Sequence, residues 1–478
     1  MRPLVGVLLV LACLVLPAAA RAATHQRPNI VVVETDDQTV SDLASMPQTR
    51  VLIGDRGVYF RQSIVAESQC CPSRATFLTG RYPHNHRVLD TTPPYGGFTA
   101  FNPSETLAVW LQRAGYATVL DGKYFNGYGK KDPTYVPPGW TEWHGLWGPK
   151  LYQYYGFRLN DDGVMHRYPG QYETNVLTGI AESAIRRRAA AARPLFLWVT
   201  YVAPHVGFPR DPLLPPRFGS AIPEPIFTGL FLGVDDPQSP AFNEADVSDK
   251  PLNIRRRPRI SRREHDFMRV AWRRRQESLV AVDYGVARIV ASLKAAHQLR
   301  NTLLVFTSDN GYMSGQHRVR EGKVLPYEPS IRVPLMFSGA GVPRQGSSSQ
   351  LVWNGDLAPT ILRAAGARAP LPLDGQSIWP FIRDPGLRVP REVLIEGPPN
   401  NNHDATPRFT GLRTDRYVYV EYLTGERELY DLRRDPFELR NLADGAARSP
   451  LEGRLAARLA RLRGCFGDSC HTLPAGLG

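Results

Sequence analysis

Short apolar segments rich in β-branched residues alternate along this chain with segments that have the spacing of amphipathic helices. The predicted strands span residues 29–33, 117–120, 195–202, 302–307 and 333–337, and each ends in polar or glycine-rich residues. The predicted helices between them include residues 105–114, 277–293 and 357–365. Because strands that alternate with helices form mainly parallel sheets covered on both faces, we predict an α/β fold.

Two interruptions of this pattern predict the domain organisation. Residues 207–276 form a long insertion rich in proline and arginine. Beyond residue 386, predicted strands at 409–423 and 427–432 are followed by a helix at 451–462. We therefore expect a large domain at residues 23–385, which contains the insertion, and a small C-terminal α+β subdomain at residues 386–478.

The first residues have the pattern of an export signal. Arg2 precedes an apolar run at residues 4–16, and Pro17 and small residues up to Ala22 follow it. The run is shorter than the roughly 20 residues that span a membrane, so we predict a signal peptide at residues 1–22. The alternative is an N-terminal anchor helix. We expect a secreted, periplasmic or extracellular protein with no membrane span.

Export also bears on the cysteines, because disulfides persist in oxidising compartments. Five cysteines are too few for a disulfide scaffold. Cys465 and Cys470 would close a short loop after the last predicted helix, and we expect a disulfide between them.

The chain is strongly basic, with 58 Lys and Arg against 45 Asp and Glu and a formal net charge of +13. This excess of positive charge favours anionic partners, such as nucleic acid, membranes or sulfated polymers, but it does not distinguish among them. Nucleic acid is disfavoured, because the chain is expected to be exported and has no recognised nucleic-acid-binding module. With 42% hydrophobic and 22% charged residues, the composition excludes a disordered, collagen-like or coiled-coil protein.

Polar residues follow two of the predicted strands. Asp36 and Asp37 end the first strand, and Asp309 and Asn310 end the strand at 302–307. Ligands of open parallel sheets bind at the carboxyl ends of the strands, and an all-oxygen set of ligands suits calcium or magnesium rather than zinc. The alternative is that these are ordinary turn or cap residues.

Cationic residues follow two further strands, Lys123 after residues 117–120 and His205 after residues 195–202. Beside a metal site they would suit an anionic substrate. Each residue taken alone is as consistent with a structural or solvated side chain.

Residues 70–81 read Cys-Cys-Pro-Ser-Arg-Ala-Thr-Phe-Leu-Thr-Gly-Arg. At this motif the chain resembles the sulfatase family, whose signal for converting cysteine to formylglycine (3-oxoalanine) is CxPSR followed by LTGR. The resemblance covers nearly the whole mature chain. It implies an alkaline-phosphatase-like sandwich with a large mixed, mainly parallel sheet. It also implies that a formylglycine-generating enzyme modifies Cys70, while Cys71 remains a buried thiol.

The resemblance also implies the roles of individual residues. The calcium ligands would be Asp36, Asp37, Asp309 and Asn310, with the residue formed from Cys70 also touching the metal. Arg74 would hold the hydrated aldehyde. Lys123, His205 and Lys323 would bind the sulfate, and His205 or Lys323 would protonate the leaving alkoxide.

The chemistry explains why cysteine is modified. One hydroxyl of a hydrated aldehyde can attack sulfur, and the other can drive collapse of the sulfated intermediate, whereas a serine sulfate ester would be released with difficulty. The sequence departs from the family at Phe125, where many members have histidine, and Asn126 follows it. The sequence therefore does not identify the base that drives collapse of the sulfated intermediate. Asn126 and His317 are candidate substrate-binding residues. His317 is also a candidate to compensate for the missing histidine, and the alternative is that it is a surface loop residue.

Several segments resemble one branch of the family, which contains N-acetylglucosamine-6-sulfatases and heparan 6-O-endosulfatases. They are residues 70–72, 122–126, 135–140 and 242–251. The expected substrate is a carbohydrate sulfate ester of the glucosamine-6-sulfate type, or an aryl sulfate.

Two alternatives remain. One is a phosphodiesterase or phosphonate hydrolase of the alkaline phosphatase superfamily, which would usually carry more His and Asp for two metals. The other is a glycan-binding protein in which Cys70 is not converted.

An arginine-rich segment lies within the predicted insertion. Between Arg255 and Arg275 there are ten arginines but only two acidic residues, Glu264 and Asp266. Arginine suits sulfate as it suits phosphate, so this segment is either a docking surface for a sulfated glycan or a set of solvated helix faces with ion pairs.

Overall fold

Two β-sheets organise the part of the chain that the computed structural model describes, which comprises residues 27–148, 151–189, 191, 193–399, 406–443, 445 and 447–474. The predicted signal peptide lies outside the described residues. The strands of the large sheet are β1 (Asn29–Thr35), β2 (Gly57–Ile64), β3 (Ala117–Gly122), β4 (Glu142–Leu146), β5 (Arg158–Asp161), β6 (Val164–Arg167), β7 (Leu195–Thr200), β8 (Thr302–Ser308), β9 (Leu335–Gly339) and β10 (Gly346–Trp353).

The large sheet is mixed, with its parallel strands at the centre. Its strand order is β10-β2-β9-β8-β1-β7-β3-β4-β5-β6. β8, β1, β7, β3 and β4 are parallel to one another, whereas β9, β5 and β6 form antiparallel pairs with their neighbours. This arrangement confirms the predicted α/β fold.

Helices pack on both faces of this sheet. The α-helices are α1 (Pro47–Thr49), α2 (Cys70–Thr79), α3 (Pro83–His86), α4 (Leu107–Arg113), α5 (Glu173–Ala189), α6 (Leu252–Arg255), α7 (Arg262–Ala295), α8 (Glu328–Ile331), α9 (Leu357–Ala365), α10 (Trp379–Arg383) and α11 (Pro450–Leu462). In β1, Ile30 and Val32 pack in the core that includes residues of α2, α4 and α9. Val31 and Val33 pack in the core that includes residues of α5 and α7. Strands buried on both faces need apolar residues at every position, which explains the continuous apolar runs.

Two sequence predictions in this domain need correction. The strand expected at 333–337 begins at Leu335, and it runs antiparallel to β2 and β8. The helix expected at 277–293 is part of α7, which begins at Arg262, so the predicted insertion at 207–276 ends inside a helix. Ser261 caps α7, because its hydroxyl accepts a hydrogen bond from the backbone N–H of Glu264, while the carboxylate of Glu264 accepts one from the backbone N–H of Ser261.

The second sheet has four antiparallel strands, β11 (Glu392–Glu396), β12 (Phe409–Thr414), β13 (Tyr417–Tyr422) and β14 (Arg427–Asp431), in sequence order. The single strand expected at 409–423 is therefore a hairpin, and β11 was not predicted. Helix α11 contacts this sheet, and Cys465 and Cys470 form the expected disulfide. Within the described residues no helix is long and apolar enough to cross a membrane.

Candidate active site

The carboxyl ends of four neighbouring strands meet at one edge of the large sheet. Asp36 and Asp37 follow β1, Asp309 and Asn310 follow β8, Lys123 follows β3, and His205 lies beyond β7. Backbone hydrogen bonds join these ends: the N–H of Asp309 donates to the carbonyl of Thr35 at 3.0 Å, and that of Asp36 to the carbonyl of Ala203 at 3.2 Å. The topology therefore brings the predicted strand-end residues together.

Gly122 sets the position of Lys123. Its φ is 116°, and a Cβ atom there would lie 2.2 Å from the carbonyl oxygen of Thr200. Only glycine fits this close approach. It lets the backbone N–H of Lys123 donate to the same carbonyl at 2.9 Å, so that β3 ends against β7.

Cys70 is the first residue of α2, and its Sγ lies among these side chains. The thiol donates a hydrogen bond to Oδ1 of Asp36 at 3.3 Å, and Nζ of Lys323 donates to Sγ at 2.9 Å. Burial, and then the negative charge of Asp36, raises the pKa of the Cys70 thiol. Unmodified Cys70 is therefore a neutral thiol and a poor nucleophile.

Two lysines contribute positive charge to the site. Lys123 forms an ion pair with Asp36, and Lys323 forms one with Asp37. Nζ of Lys323 also donates to Oδ1 of Asn310 at 3.3 Å. Burial alone would lower the pKa of each lysine, but the adjacent carboxylates outweigh it and raise both pKa values well above the ordinary value. Both side chains are therefore cationic.

Arg74 lies fully buried behind Cys70. Its Nε donates to Oδ2 of Asp309 at 2.9 Å, and its Nη1 donates to the carbonyl of Lys123 at 2.8 Å. Its Nη2 has no hydrogen-bond partner among the described residues and is 4.0 Å from Oδ2 of Asp36. A buried donor without a partner is costly, so Nη2 is available to a further oxygen atom in the site.

Four carboxyl groups are buried at this edge of the sheet, those of Glu34, Asp36, Asp37 and Asp309. Burial, opposed by Arg74 and reinforced by Asp309, raises the pKa of Glu34 to about 8. Burial and the charge of Asp36 raise the pKa of Asp309 to about 6. For Asp36 and Asp37, by contrast, burial alone would raise the pKa values, but Lys123 at Asp36 and Lys323 at Asp37 lower them. Glu34 was not predicted, because it lies within a strand and belongs to no recognisable motif.

The donor set fits a cation. Asp36, Asp37, Cys70 and His205 each offer one ligand atom, and these atoms all lie within 4.8 Å of one another. Nδ1 of His205 is 2.8 Å from the carbonyl of Val206, which leaves Nε2 3.7 Å from Oδ2 of Asp37. Burial lowers the pKa of His205, and a neutral imidazole that donates from Nδ1 presents a lone pair at Nε2. A lone pair beside a carboxylate is favourable when a cation lies between them.

Asp309 and Asn310 join the same network by different contacts. Nδ2 of Asn310 donates to Oδ1 of Asp37 at 2.6 Å. Oδ1 of Asp309 accepts from the backbone N–H of Asp37 at 3.2 Å, while its Oδ2 accepts from Arg74. All five residues expected to bind metal are thus in one network, but Asp309 is already engaged by two donors.

Tyr152 is a site residue that the sequence analysis missed. Its ring stacks on His205 at 4.0 Å between centroids and lies 4.7 Å from Nζ of Lys123. Its hydroxyl donates to Oδ1 of Asn126 at 3.0 Å, which places Asn126 beside the cationic residues. Tyr152 lies in an irregular segment without a motif, so no pattern in the sequence indicates it.

Arg275 is a second missed residue, and it holds two loops of the site from behind. Its Nη2 donates to the carbonyl of Asp37 at 2.6 Å, and its Nη1 donates to the carbonyl of Pro204 at 3.2 Å. Asp37 has a φ of 70°, which is uncommon for a residue other than glycine, and this contact helps to hold it. Arg275 is buried, so this member of the arginine-rich segment cannot belong to an exposed docking surface.

His317 lies apart from these contacts. It is buried, its Nδ1 pairs with Oε2 of Glu244 at 2.6 Å, and its ring lies 4.4 Å from that of Tyr327. The alternative of a surface loop histidine is therefore wrong. Phe125, at the position where many family members have histidine, is buried and stacks on Phe101 at 4.3 Å.

The site combines three chemical elements. A buried side chain of residue 70 lies at its centre, oxygen ligands for a cation lie on one side, and the ammonium groups of Lys123 and Lys323 lie close by. Such an arrangement can bind a tetrahedral anion and stabilise negative charge that develops on it.

Comparisons with known proteins agree on one family. The profile of the sulfatase family matches residues 28–367. The profile described as N-sulphoglucosamine sulphohydrolase, C-terminal, matches residues 315–464.

Curated relatives have similar names. An arylsulfatase of Volvox carteri is 33% identical over 500 residues, which cover 95% of this chain and 77% of the relative. An N-acetylglucosamine-6-sulfatase of Capra hircus is 30% identical over 506 residues, which cover 96% of this chain and 87% of the relative. A putative extracellular sulfatase Sulf-1 homolog of Caenorhabditis elegans is 33% identical over 364 residues, which cover 74% of this chain but 49% of the relative. This chain therefore spans about half the length of that last relative.

Solved structures share the fold. A protein in complex with its substrate D-glucosamine-2-N,6-O-disulfate superposes with a TM-score of 0.77 at 22% identity, over 91% of this chain and 97% of the other. The phosphonate monoester hydrolase of Agrobacterium radiobacter superposes with a TM-score of 0.63 at 21% identity, over 91% of this chain and 95% of the other.

Proposed function

This chain belongs to the sulfatase family and has its alkaline-phosphatase-like α/β fold, and we propose that it hydrolyses a carbohydrate sulfate ester with formylglycine at position 70 and calcium at Asp36 and Asp37. The observation that carries this proposal is the position of Cys70. Within the CxPSR motif, its Sγ contacts both Asp36 and Lys323, at the edge where the other strand-end residues meet. A cysteine in a merely structural role would not need these charged partners.

Calcium would be held by Asp36, Asp37, Asn310 and Asp309, with the side chain of residue 70 and His205 adjacent. When bound, the ion supplies a Lewis acid that polarises a sulfate oxygen and lowers the pKa of a hydroxyl group beside it. The buried carboxyl groups that meet at this edge of the sheet support a cation here, and hard oxygen ligands favour calcium, with magnesium as the second choice.

Formylglycine, formed from Cys70 by a formylglycine-generating enzyme, supplies an oxygen nucleophile in its hydrated state. Arg74 would hold one hydroxyl group of that side chain, since its Nη2 is buried and has no partner among the described residues. The position of residue 70 at the N-terminus of α2 adds a favourable field for negative charge.

The remaining residues would bind the sulfate group and move protons. Lys123 and Lys323 neutralise its oxygens, and their raised pKa values keep them charged. Lys323, or His205 in the state that is protonated at Nε2, would protonate the leaving alkoxide, because an alcohol leaves poorly without a proton. Tyr152 keeps the imidazole of His205 in place by stacking, and its hydrogen bond positions Asn126 for contact with the sugar.

The substrate that we propose is a sulfated glucosamine, with the ester at the 6-position, or an aryl sulfate in assay. The name of the Capra hircus relative supports this choice. So does the substrate D-glucosamine-2-N,6-O-disulfate in the solved structure that superposes with a TM-score of 0.77. The extracellular relative supports export through a signal peptide at residues 1–22. We propose the domain division of residues 23–385 and 386–478, since the second sheet begins at Glu392.

Turnover of an aryl sulfate and of the matched aryl phosphate tests this proposal. The enzyme should prefer the sulfate strongly. A strong preference for phosphate would instead support a phosphodiesterase or phosphonate hydrolase. Binding of a sulfated glycan without turnover of any ester, in protein with Cys70 intact, would support the glycan-binding alternative.

A further inference from the structure

A groove rich in arginine lies between the edge of the large sheet and the C-terminal sheet. Its volume is about 630 Å³, and its walls come from β2, α8, β10, the segment directly before β11, the end of β12 and the residues that follow β12 and β14. The charged residues that line it are five arginines, Arg61, Arg332, Arg388, Arg413 and Arg433, and two acids, Glu328 and Asp415. We call this surface the arginine groove. Its positive charge exceeds its negative charge, and a concave wall concentrates the resulting potential.

Three of these arginines share the two carboxylates. Nε of Arg413 donates to Oε1 of Glu328 at 2.8 Å, and Nη2 of Arg433 donates to Oδ2 of Asp415 at 3.0 Å. Arg332 is 3.6 Å from the other oxygen of Glu328. Both acidic side chains of the groove are therefore already paired with arginines.

The other two arginines contact neutral groups. Nε of Arg61 donates to the hydroxyl of Ser347 at 2.7 Å. Arg388 donates to the carbonyl of Pro385 at 2.8 Å and to the hydroxyl of Ser349 at 3.2 Å. No ion pair of Arg61 or Arg388 is seen among the described residues, so their charges are available to an external anion.

The arginine-rich segment of the predicted insertion differs in this respect. Arg275 is buried against the carbonyl of Asp37, and Arg274 pairs with both Asp211 and Glu277. Arg269 pairs with Asp235 and Asp236. Several arginines of this segment are therefore paired within the protein, although the segment is more basic in sequence than the arginine groove.

A further cavity lies next to the arginine groove. Its volume is about 370 Å³, and it shares Glu328, Arg332 and Pro436 with the groove. This cavity reaches Thr39 to Asp42, the segment directly after the proposed calcium ligands, and Arg275, which holds the carbonyl of Asp37. Glu328, Arg332 and Pro436 thus line both the arginine groove and a cavity that borders residues 39–42, which lie close to Asp37 in the chain.

We propose that the arginine groove binds the sulfate and carboxylate groups of a sulfated polysaccharide, away from the ester that is hydrolysed. The guanidinium group forms paired hydrogen bonds with such anions. The proposal rests on the proposed function in that the substrate is a sulfated carbohydrate. It predicts that the enzyme prefers a polymer or oligosaccharide to a small sulfate ester, because only a long substrate reaches both surfaces.

The double variant R61Q/R388Q tests the groove, with R262Q/R263Q as a matched control. The control removes the same charge from exposed arginines of the insertion. Binding is measured by fluorescence anisotropy with a labelled heparan sulfate oligosaccharide at several salt concentrations, and turnover is measured with an aryl sulfate. For R61Q/R388Q we expect the Kd to rise about fivefold at low salt and the salt dependence to weaken, since fewer ion pairs form. We expect unchanged aryl sulfate turnover in both double variants and unchanged binding in the control.

Two outcomes would overturn the proposal. One is that R61Q/R388Q binds the oligosaccharide as tightly as the unmodified protein. The other is that R262Q/R263Q weakens binding as much. Unchanged aryl sulfate turnover shows that the variants fold, and R433Q, whose side chain is 65% exposed, is a third variant that should weaken binding by about twofold. If the unmodified protein hydrolysed neither an aryl sulfate nor a glucosamine-6-sulfate ester, the proposed function would fail, whereas the binding comparison would still test the arginine groove.

Discussion

The active site and the C-terminal half of the molecule both bury charged groups, but the two regions differ in how many of the hydrogen bonds of these groups are formed. Glu428 accepts hydrogen bonds from the hydroxyls of Tyr327, Tyr422 and Tyr430 at 2.5 to 2.7 Å. In the active site, Glu34 Oε1 and Arg74 Nη2 have no hydrogen-bond partner among the described residues.

A second buried carboxylate, that of Asp356, also has a donor at each oxygen, although Nε of its partner Arg391 has no hydrogen-bond partner among the described residues. Arg391 donates to both oxygens of Asp356, at 2.5 and 2.7 Å. Those oxygens also accept the backbone N–H groups of Trp353 and Gln376. A buried carboxylate whose oxygens all accept hydrogen bonds stabilises the fold. A buried site that contains unpaired donors and several neighbouring carboxyl groups is instead suited to binding a ligand. We therefore expect changes in the first kind of network to affect stability and changes in the second to affect turnover.

Replacing the proposed nucleophile should have the largest effect on turnover. Cys70→Ala should lower turnover of an aryl sulfate by at least about a thousandfold, because removing a nucleophile abolishes the covalent route. The melting temperature should stay near that of the unmodified protein. Cys71→Ala is the matched control, since Cys71 is also a buried free thiol. Retained activity in Cys70→Ala, or equal loss in Cys71→Ala, would contradict the assignment.

Breaking the satisfied pair should have the largest effect on stability. Arg391→Met leaves Asp356 as a buried unpaired charge and should lower the free energy of unfolding by about 3–5 kcal/mol, measured by denaturant titration. Turnover per folded molecule should not change. Arg288→Met, at a partly exposed ion pair with Glu182, should cost about 1 kcal/mol or less. Equal costs for the two variants would remove the distinction drawn between buried and surface pairs.

Removing divalent cations should impair turnover more than folding. Treatment with a chelator should lower aryl sulfate turnover by at least about a hundredfold, because a metal contributes several kcal/mol of charge stabilisation. Calcium added back should restore the rate. Full activity in chelator, with metal analysis showing no bound ion, would exclude the proposed role of Asp36 and Asp37.

Tyr152 should make a smaller contribution within the same site. Tyr152→Ala removes both the stack on His205 and the contact with Lys123, and it should lower kcat/KM about tenfold. Tyr152→Phe keeps the ring, so it should lose only a fewfold through the missing hydrogen bond to Asn126. If the two variants were equally impaired, the ring would have no separate role.

His84 should give the smallest effect, and one that depends on pH. It bridges Oε2 of Glu396 at 3.0 Å and the carbonyl of Cys465 at 2.8 Å. Although burial lowers the pKa of His84, the hydrogen bond and charge of Glu396 outweigh it, and the pKa is raised above its ordinary value.

Because the folded-state pKa is raised, protonated His84 stabilises the fold fully below the unfolded-state pKa, near 6.5, and this stability is lost as pH rises through the folded-state value. His84→Asn should therefore cost about 1 kcal/mol at pH 6 and less at pH 9. Unfolding titrations at the two pH values measure this, and a cost that grew with pH would reverse the assignment.

The central strands could be predicted because burial on both faces leaves a clear apolar signature. β1, β3, β7 and β8 begin at the predicted residues, 29, 117, 195 and 302. β2 was missed, since it is exposed in part and mixes polar with apolar residues. The direction of β9 follows from tertiary pairing and cannot be deduced from its sequence. The start of α7 was missed among arginines, although the capping residues Ser261 and Glu264 were a signal for it.

The residues of the active site also fall into those that the sequence predicts and those that it does not. Asp36, Asp37, Lys123 and His205 could be predicted because strand ends meet at one edge of a parallel sheet. Tyr152 and Arg275 could not, since their contacts with His205 and Asp37 depend on how an irregular segment and a long helix pack. The excess charge of the arginine-rich segment was visible in the sequence, but its ion pairs were not.

The central claim is that residue 70 of the active protein is formylglycine. Mass spectrometry of the tryptic peptide of residues 62–74, after alkylation of free thiols, tests it directly, because Cys70 and Cys71 are in the same peptide. We expect one alkylated cysteine, Cys71, and one aldehyde at position 70, with the converted fraction equal to the active fraction. Two alkylated cysteines in protein that hydrolyses sulfate esters at full rate would contradict it.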